Sequence, residues 1–372
     1  MVNSVLKGLY QLEQKFNKAR WAYIRKHNRL GQLVIHAYRG FGDTEKAYVK
    51  GRLLEKRNIL PARQQDTTWQ NVKAMYKRFE SNEVPGALIQ ATFKGKQYEA
   101  YTDEDGYFEF HLEVPKDLDQ EEIWHTVEYV LLEDIGRNDG PVTASGFIKI
   151  PTDQAEFGII SDVDDTILKT EATSLFRMMR HTFTRNASTR LPFKGVAAFY
   201  RALHMGGKVD KYKNPLYYVS SSPWNLYDML EEFWELNEIP AGPFLLRDIG
   251  FSRDNFVKTS HLSHKLEQIE KVLSFTGDLP FILIGDSGQK DPEIYERAVA
   301  DFPGRIKAIY IRDVTRKRRD AQVVQIGKKI NDSGVEMLYV QDTEMAARHA
   351  LESGFILQDY MKEIIREKAK DK

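Results

Sequence analysis

The stretch Phe157-Gly-Ile-Ile-Ser-Asp-Val-Asp-Asp-Thr166 decides the fold of this chain. Its apolar residues 157–160 predict a buried strand, and the chain then runs directly into Asp162 and Asp164. An apolar strand that ends in carboxylates places charge at the carboxyl edge of a sheet, where α/β proteins bind ligands. Because clustered carboxylates repel one another, the pattern indicates a hard, oxygen-preferring cation such as Mg²⁺.

Strands and helices alternate beyond this stretch. Apolar runs predict strands at 157–161, 216–220, 244–248, 281–285, 306–311 and 337–340. Amphipathic segments predict helices at 223–237, 261–275, 292–301, 316–331, 343–352 and 355–368. Such alternation is typical of a parallel sheet with helices on both faces. We therefore expect one α/β domain over residues 153–372.

The chain before residue 151 has a different period. Apolar and polar residues alternate at 108–114, and further strands are predicted at 33–38, 47–53, 87–93, 125–132 and 143–150. This pattern favours an antiparallel, β-sandwich-like accessory domain over 31–152, interrupted by a helix at 67–80. Residues 1–30 are predicted to form an amphipathic helix, and the polar stretch 151–156 marks the boundary. Asp103 and Asp105 favour a turn over a calcium site.

Composition narrows the class of protein. The 372 residues contain 54 Lys plus Arg and 54 Asp plus Glu, so a generally basic nucleic-acid binder is not expected. Cysteine is absent, which excludes disulfides, thiolate nucleophiles and Cys-ligated zinc. We predict no signal peptide and no transmembrane segment. A cytoplasmic location, with peripheral contact to membranes, is the expectation.

The spacing of Asp162 and Asp164 suits phosphoryl transfer. An EF-hand is excluded, because Ile167 stands where that loop needs glycine. One carboxylate can attack phosphorus and form an aspartyl-phosphate. The other can protonate the leaving oxygen and later deprotonate water.

A second strand ends in Ser220, Ser221 and Ser222, followed by Pro223. Proline favours the first position of a helix, so Ser222 is the predicted N-cap. Free amides at that helix start, together with Ser220 and Ser221, would form a phosphate cradle. The alternative is that all three serines only cap the helix.

Two later segments supply further candidates. Asp286 follows another apolar strand and is well placed as a metal ligand. Asp291 precedes a proline, so helix capping and support of the site are equally good interpretations. Lys265 stands near a helix start; taken alone, such a lysine is expected at the surface, and Lys258 and Lys290 compete with it.

Together these four segments resemble the haloacid-dehalogenase-type phosphohydrolases. Their DxDxT signature matches Asp162, Asp164 and Thr166, and their GDxxxxD signature matches Asp286 and Asp291. The strand-terminal serine and the lysine of that superfamily match Ser220 and Lys265. The stretches 161–166, 218–224, 284–293 and 310–314 narrow the resemblance to the actin-patch-associated phosphatidate phosphatases, which are also similar to the lipin catalytic domain.

The resemblance implies a Rossmann-like catalytic domain and an Mg²⁺-dependent phosphatase. Asp162 would be nucleophile and metal ligand, and Asp164 would be general acid/base and bind metal through its carbonyl. Asp286 would complete the metal shell. Ser220 and Lys265 would hold the phosphoryl group. Ser221 is the alternative to Ser220, because the motif can be aligned with either serine. Thr166 and Asp291 would support the site.

The substrate is less determined than the chemistry. Phosphatidate at a membrane surface is the first expectation, with the basic and apolar segment 169–207 and the N-terminal helix as candidate membrane contacts. Docking on the protein itself or on a second subunit is the favoured interpretation of the N-terminal helix, and a helix with one buried and one solvated face is an equally good interpretation of the segment. A soluble phosphorylated metabolite or a phosphoprotein is the alternative within enzymes. A non-catalytic adaptor that binds partners through the sandwich is the alternative from another class. The oligomeric state stays open.

Overall fold

The structure is a computed structural model that describes residues 30–56, 83–119, 121–163, 195–208, 213–248, 261–314 and 320–370. Residues 1–29 of the predicted N-terminal helix and the whole predicted helix at 67–80 lie outside these ranges, as does most of the 169–207 segment. No helix of the described residues is both long enough and apolar enough to cross a bilayer.

Eight strands of the described residues form the first sheet. They are β1 (Leu33–Ala37), β2 (Gly40–Gly42), β3 (Lys46–Glu55), β4 (Leu88–Phe93), β5 (Lys96–Tyr101), β6 (Tyr107–Glu113), β7 (Trp124–Leu131) and β8 (Thr143–Lys149). The order is β1-β3-β2-β8-β7-β4-β5, and β6 pairs with β3. The pairs are antiparallel except that between β2 and β8, which is parallel.

This sheet encloses its own core, as a sandwich does. Strands β6 and β7 are not hydrogen-bonded neighbours, yet the rings of Phe108 and Phe110 lie 5.4 and 6.3 Å from the ring of Tyr129. Burial alternates along β6, with Glu109 exposed between the two phenylalanines, as the period of two predicts. Asp103 forms the preceding turn, because its Oδ1 accepts hydrogen bonds from the amides of Asp105 and Tyr107.

Six parallel strands of the described residues form the second sheet. They are β9 (Gly158–Asp162), β10 (Leu216–Pro223), β11 (Phe244–Arg247), β12 (Phe281–Asp286), β13 (Ile306–Arg312) and β14 (Glu336–Val340). The helices are α1 (Val196–Met205), α2 (Tyr227–Leu236), α3 (His261–Ser274), α4 (Asp291–Asp301), α5 (Asp320–Asp332), α6 (Thr343–Glu352) and α7 (Gln358–Lys370). The predicted parallel α/β architecture is confirmed.

Helices cover both faces of this sheet. One core cluster joins the sheet to α1, α2, α6 and α7, and the other joins it to α3, α4 and α5. The strand order β11-β10-β9-β12-β13-β14 places β9 in the middle. The chain leaves β9 in one direction to β10 and returns to the other side at β12. The carboxyl ends of β9 and β12 therefore flank a topological switch point, where such sheets bind ligands.

Two local predictions are wrong. Strand β10 continues through Pro223, which pairs with Arg247 of β11, and a 3₁₀ turn (Trp224–Leu226) precedes α2. Pro223 has extended dihedral angles, so Ser222 does not cap a helix. The helix α1 is not among the predicted helices; it lies in the segment 169–207, which is predicted as a candidate membrane contact.

The two sheets are joined by specific contacts. The linker 151–156 lies between β8 and β9, and the division into domains stays a prediction. The ring of Tyr38, which follows β1, stacks on Trp224 with a centroid separation of 4.3 Å. Arg52 of β3 donates from Nη1 to Oδ1 of Asn225 at 2.7 Å. The first sheet therefore supports the turn that follows β10.

Candidate active site

Two carboxylates meet at the switch point. Asp162 ends β9 and Asp286 ends β12, and these strands are direct parallel neighbours with Ser161 beside Ile284. The side chain of Asp162 is 5% exposed, and Asp286 is also buried. The apolar runs before each aspartate fix the strands in the core. They therefore deliver both carboxylates to the same edge of the sheet.

Lys265 is buried between these acids and not at the surface. It lies in the second turn of α3, where the lysine is 3% exposed. Its Nζ lies 2.7 Å from Oδ1 of Asp162 and 3.2 Å from Oδ1 of Asp291, and it donates to Oε1 of Gln289 at 2.9 Å. The surface position expected for an isolated helix lysine is therefore wrong. Of its two competitors, Lys290 is exposed and Lys258 lies outside the described residues.

Asp291 belongs to this cluster and does not cap its helix. The N-cap of α4 is Lys290, and no side chain caps it. Asp291 Oδ2 accepts the amide of Asp286 at 3.0 Å, while its Oδ1 faces Lys265. The close approach requires Gly285, since a Cβ at that position would lie 2.6 Å from Asp291 Oδ2. The capping interpretation of Asp291 is therefore wrong, and its support of the site stays a prediction.

The acidic cluster has the chemistry of a magnesium site. Asp162, Asp286 and Asp291 each offer an oxygen, and these three atoms lie within 4.8 Å of one another. Hard carboxylate oxygens are the donors that Mg²⁺ prefers. Asp286 Oδ1 accepts the amides of Gly288 at 2.6 Å and Gln289 at 3.1 Å, which fixes the orientation of its carboxylate. The carboxylates of Asp162 and Asp286, with Asp291 beside them, therefore fit this cation.

The serines lie one step beyond Asp162 on the neighbouring strand, since Val219 is the register partner of Asp162. Ser220 is fully buried; its Oγ accepts the amide of Ser222 and donates to the hydroxyl of Ser222 at 2.6 Å. Ser221 is half-buried. Because α2 begins only at Tyr227, the cradle expected from a helix start directly after the strand is not formed as predicted. The phosphate-binding roles of Ser220 and Ser221 stay predictions.

Asp164 and Thr166 lie outside the described residues. Their roles as general acid/base and as support therefore stay predictions.

Residues 157–313 match a family model described as "Phosphatidate phosphatase APP1, catalytic domain". This segment is therefore similar to the APP1 catalytic domain. The resemblance inferred from the four motifs is thereby confirmed. Phosphatidate phosphatase APP1 of Saccharomyces cerevisiae is 35% identical over 156 residues, which is 42% of this chain and 25% of the relative. Uncharacterized protein C29B5.04c of Schizosaccharomyces pombe is 28% identical over 191 residues, 51% of this chain and 30% of the relative. The chain thus spans only about a quarter to a third of these relatives.

Similarity to solved structures is slight. An immunoglobulin-like domain of the M. primoryensis ice-binding adhesin gives a TM-score of 0.16 at 10% identity, covering 32% of this chain and 96% of that one. XAC1771, a carbohydrate acetylesterase from Xanthomonas citri, gives 0.24 at 10% identity, covering 72% of this chain and 66% of that one. Scores this low carry no argument about fold or activity.

The segment 157–313 brings further residues to the site that the motifs did not assign. Ser161 Oγ lies 2.5 Å from the hydroxyl of Tyr200 on α1, and burial raises the pKa of Tyr200 to about 12. This contact anchors the residue that precedes Asp162. Arg312 ends β13 in register with Asp286; burial lowers its pKa to about 10, against the opposing effect of nearby carboxylates. The signal for Arg312 was available, because it too ends an apolar strand.

Proposed function

We propose that this chain is a Mg²⁺-dependent phosphatase of the haloacid-dehalogenase type that hydrolyses phosphatidate. One observation carries the proposal: the buried ammonium of Lys265 joins Asp162 to Asp291 beside Asp286. Burying charges is costly unless they are paired, and a protein that served only as an adaptor would have no use for this cluster. The match of residues 157–313 to the APP1 catalytic-domain model supports the same conclusion.

Asp162 is the proposed nucleophile. Its ion pair with Lys265 favours the ionised carboxylate, which is the form that attacks. A carboxylate oxygen of Asp162 forms a bond to phosphorus while the bond from phosphorus to the ester oxygen breaks. The leaving oxygen takes a proton from Asp164. Asp164 then removes a proton from water, which attacks the aspartyl-phosphate, releases inorganic phosphate and restores Asp162.

Asp162, Asp286 and the backbone carbonyl of Asp164 are the proposed ligands of the metal. When bound, Mg²⁺ supplies positive charge that offsets the repulsion between the carboxylates and the phosphate and stabilises the transferring oxygens. Asp291 stays a supporting residue, because both of its oxygens already face Lys265 and the amide of Asp286. Lys265 is held in place to pair with the phosphoryl oxygens, next to Ser220 or Ser221.

Phosphatidate as substrate rests on the family and on the name of the yeast relative. We propose that the enzyme acts from the cytoplasm at a membrane surface. The test is release of inorganic phosphate from phosphatidate in phosphatidylcholine vesicles and from glycerol 3-phosphate, each with and without Mg²⁺. Faster Mg²⁺-dependent release from the vesicles is expected. Faster release from glycerol 3-phosphate would identify a soluble metabolite, and not a lipid, as the substrate. The enzyme proposal would be contradicted if no phosphate were released from either compound, from other soluble phosphomonoesters or from a phosphopeptide.

A further inference from the structure

A cavity of about 820 Å³ lies between the two sheets, away from the candidate active site. The first sheet lines it with Trp124, at the start of β7, and Lys149, at the end of β8. The second part of the chain lines it with Met205, which ends α1, and with Ala241, which precedes β11. The cavity therefore lies at the amino edge of the parallel sheet, opposite to Asp162. Its volume is typical of small-molecule sites, roughly 300–1,000 Å³.

Lys149 is the deepest charged group of this cavity. The residue is 1% exposed, its Nζ donates to the carbonyl of Ala241 at 2.7 Å, and it lies 4.9 Å from the ring centre of Trp124. Since both contacted groups line the cavity, the ammonium lies at the cavity wall. An ammonium has three N–H donors, and among the described residues Ala241 provides its one hydrogen-bond acceptor.

The other buried lysines of the described residues all have carboxylate partners. Lys50 pairs with Glu109 at 2.9 Å and with Asp248 at 3.0 Å, and Lys265 pairs with Asp162. Within the same residues, no carboxylate lies within ion-pair distance of Lys149. A buried cation without an anion is unfavourable.

The electrostatic surroundings agree with this. Burial lowers the pKa of Lys149 to about 7, and the neighbouring charges of Arg39 and Lys213 add to that effect. His204 also lines the cavity, but burial lowers its pKa to about 4, so it adds no positive charge at neutral pH.

The rest of the lining suits a molecule with an apolar body. Ile123, Met205 and Pro240 line the cavity beside Trp124, while Glu121 and Glu238 are exposed. We propose that this cavity binds a small organic anion, whose carboxylate or phosphate group pairs with Lys149 while its apolar part packs on Trp124 and Met205. This site is independent of the proposed phosphatase chemistry, because its residues take no part in the cluster around Asp162.

Octanoate is the probe for this site, since it carries a carboxylate on an apolar chain and contains no phosphate ester. Isothermal titration calorimetry of the full chain in Mg²⁺-free buffer would compare wild type with Lys149→Met and with Lys116→Met, an exposed lysine elsewhere. A charge-assisted hydrogen bond predicts binding about tenfold to a hundredfold weaker for Lys149→Met. Lys116→Met should bind as wild type does, and octanamide, the neutral analogue, should bind wild type as weakly as octanoate binds Lys149→Met.

A second arm distinguishes a free anion from a membrane headgroup. It measures sedimentation of each variant with phosphatidylcholine vesicles that carry oleate. The site is supported if wild type binds in either experiment and Lys149→Met does not. Loss of octanoate binding would indicate a free anion, and loss of vesicle binding would indicate a membrane headgroup. Without ligand, the melting temperature of Lys149→Met should equal or exceed that of wild type. Methionine has a similar volume to lysine, and the substitution removes a buried charge that has no carboxylate partner. Equal binding by wild type and Lys149→Met, or no binding by wild type in either arm, would overturn the proposal.

Discussion

The Nζ of Lys265 lies 2.7 Å from Oδ1 of Asp162, although the two residues are separated by about a hundred positions in the sequence. Both side chains are almost completely buried, with 4% and 5% of their surface exposed. Two groups removed from water in this way interact more strongly than a surface pair. This pair links the strand that carries the proposed nucleophile to α3 and, through Asp291, to α4.

Replacing the proposed nucleophile should abolish turnover without unfolding the protein. Asp162→Asn keeps the shape of the side chain and cannot attack phosphorus, so phosphate release should fall by at least about 10³-fold. In Mg²⁺-free buffer its melting temperature should be unchanged or higher, because repulsion among three carboxylates is relieved while Lys265 keeps Asp291. The control is Asp117→Asn, at an exposed aspartate. Full activity of Asp162→Asn would remove the nucleophile assignment.

Removing the lysine should cost both stability and activity. Lys265→Met leaves buried carboxylates without their cation, so urea unfolding at neutral pH without metal should show a loss of about 3–5 kcal/mol. Phosphate release should fall by about 10²–10³-fold, the usual effect of losing one electrostatic contact to the transition state. The exposed Lys290→Met should change neither quantity. A Lys265→Met protein as stable as wild type would show that the pair contributes nothing.

Magnesium should stabilise the protein through Asp286. A ligand that binds only the folded state adds about 2.7 kcal/mol when its concentration is about a hundredfold above its Kd. Thermal unfolding of wild type should therefore shift upwards with Mg²⁺, and the shift should disappear in Asp286→Asn. Asp332→Asn, at an exposed aspartate, should keep it. An unchanged Mg²⁺ shift in Asp286→Asn would place the metal elsewhere.

The close packing at Gly285 gives a geometric test. In Gly285→Ala the new Cβ would meet Asp291 Oδ2 at 2.6 Å and the hydroxyl of Tyr295 at 2.8 Å. Overpacking of this kind costs about 1–3 kcal/mol. The displaced Asp291 should also shift Lys265, so activity should fall about 10²-fold. Gly140→Ala is the matched control, because nothing lies within 4 Å of its added Cβ. Equal activity of the two variants would contradict the proposed support of Lys265 by Asp291.

Much of the second sheet could be predicted from the sequence, because each strand is a short apolar run bounded by polar residues. The strands β9, β12 and β13 start and end within one residue of the predicted positions. The helix after β10 was misplaced, because Pro223 fits a helix start as well as it fits the extended strand that pairing with β11 selects.

The candidate site could be predicted only in part from the sequence. Asp162 and Asp286 were predictable, since the strand pattern alone delivers them to one edge. The burial of Lys265 was not, because nothing local shows that its ammonium meets a carboxylate from another strand. Asp291 was ambiguous for a related reason: its position before Pro292 suits a cap, and only the fold shows that it contacts the amide of Asp286.

Mapping a covalent phosphoryl group on the enzyme tests the central claim most directly. Enzyme that is turning over phosphatidate in the presence of Mg²⁺ would be quenched in acid and treated with borohydride, which reduces an aspartyl-phosphate to homoserine. Mass spectrometry of the digest should then find homoserine at position 162 and nowhere else. Homoserine at another aspartate, or none at all in enzyme that is releasing phosphate, would contradict the proposed role of Asp162.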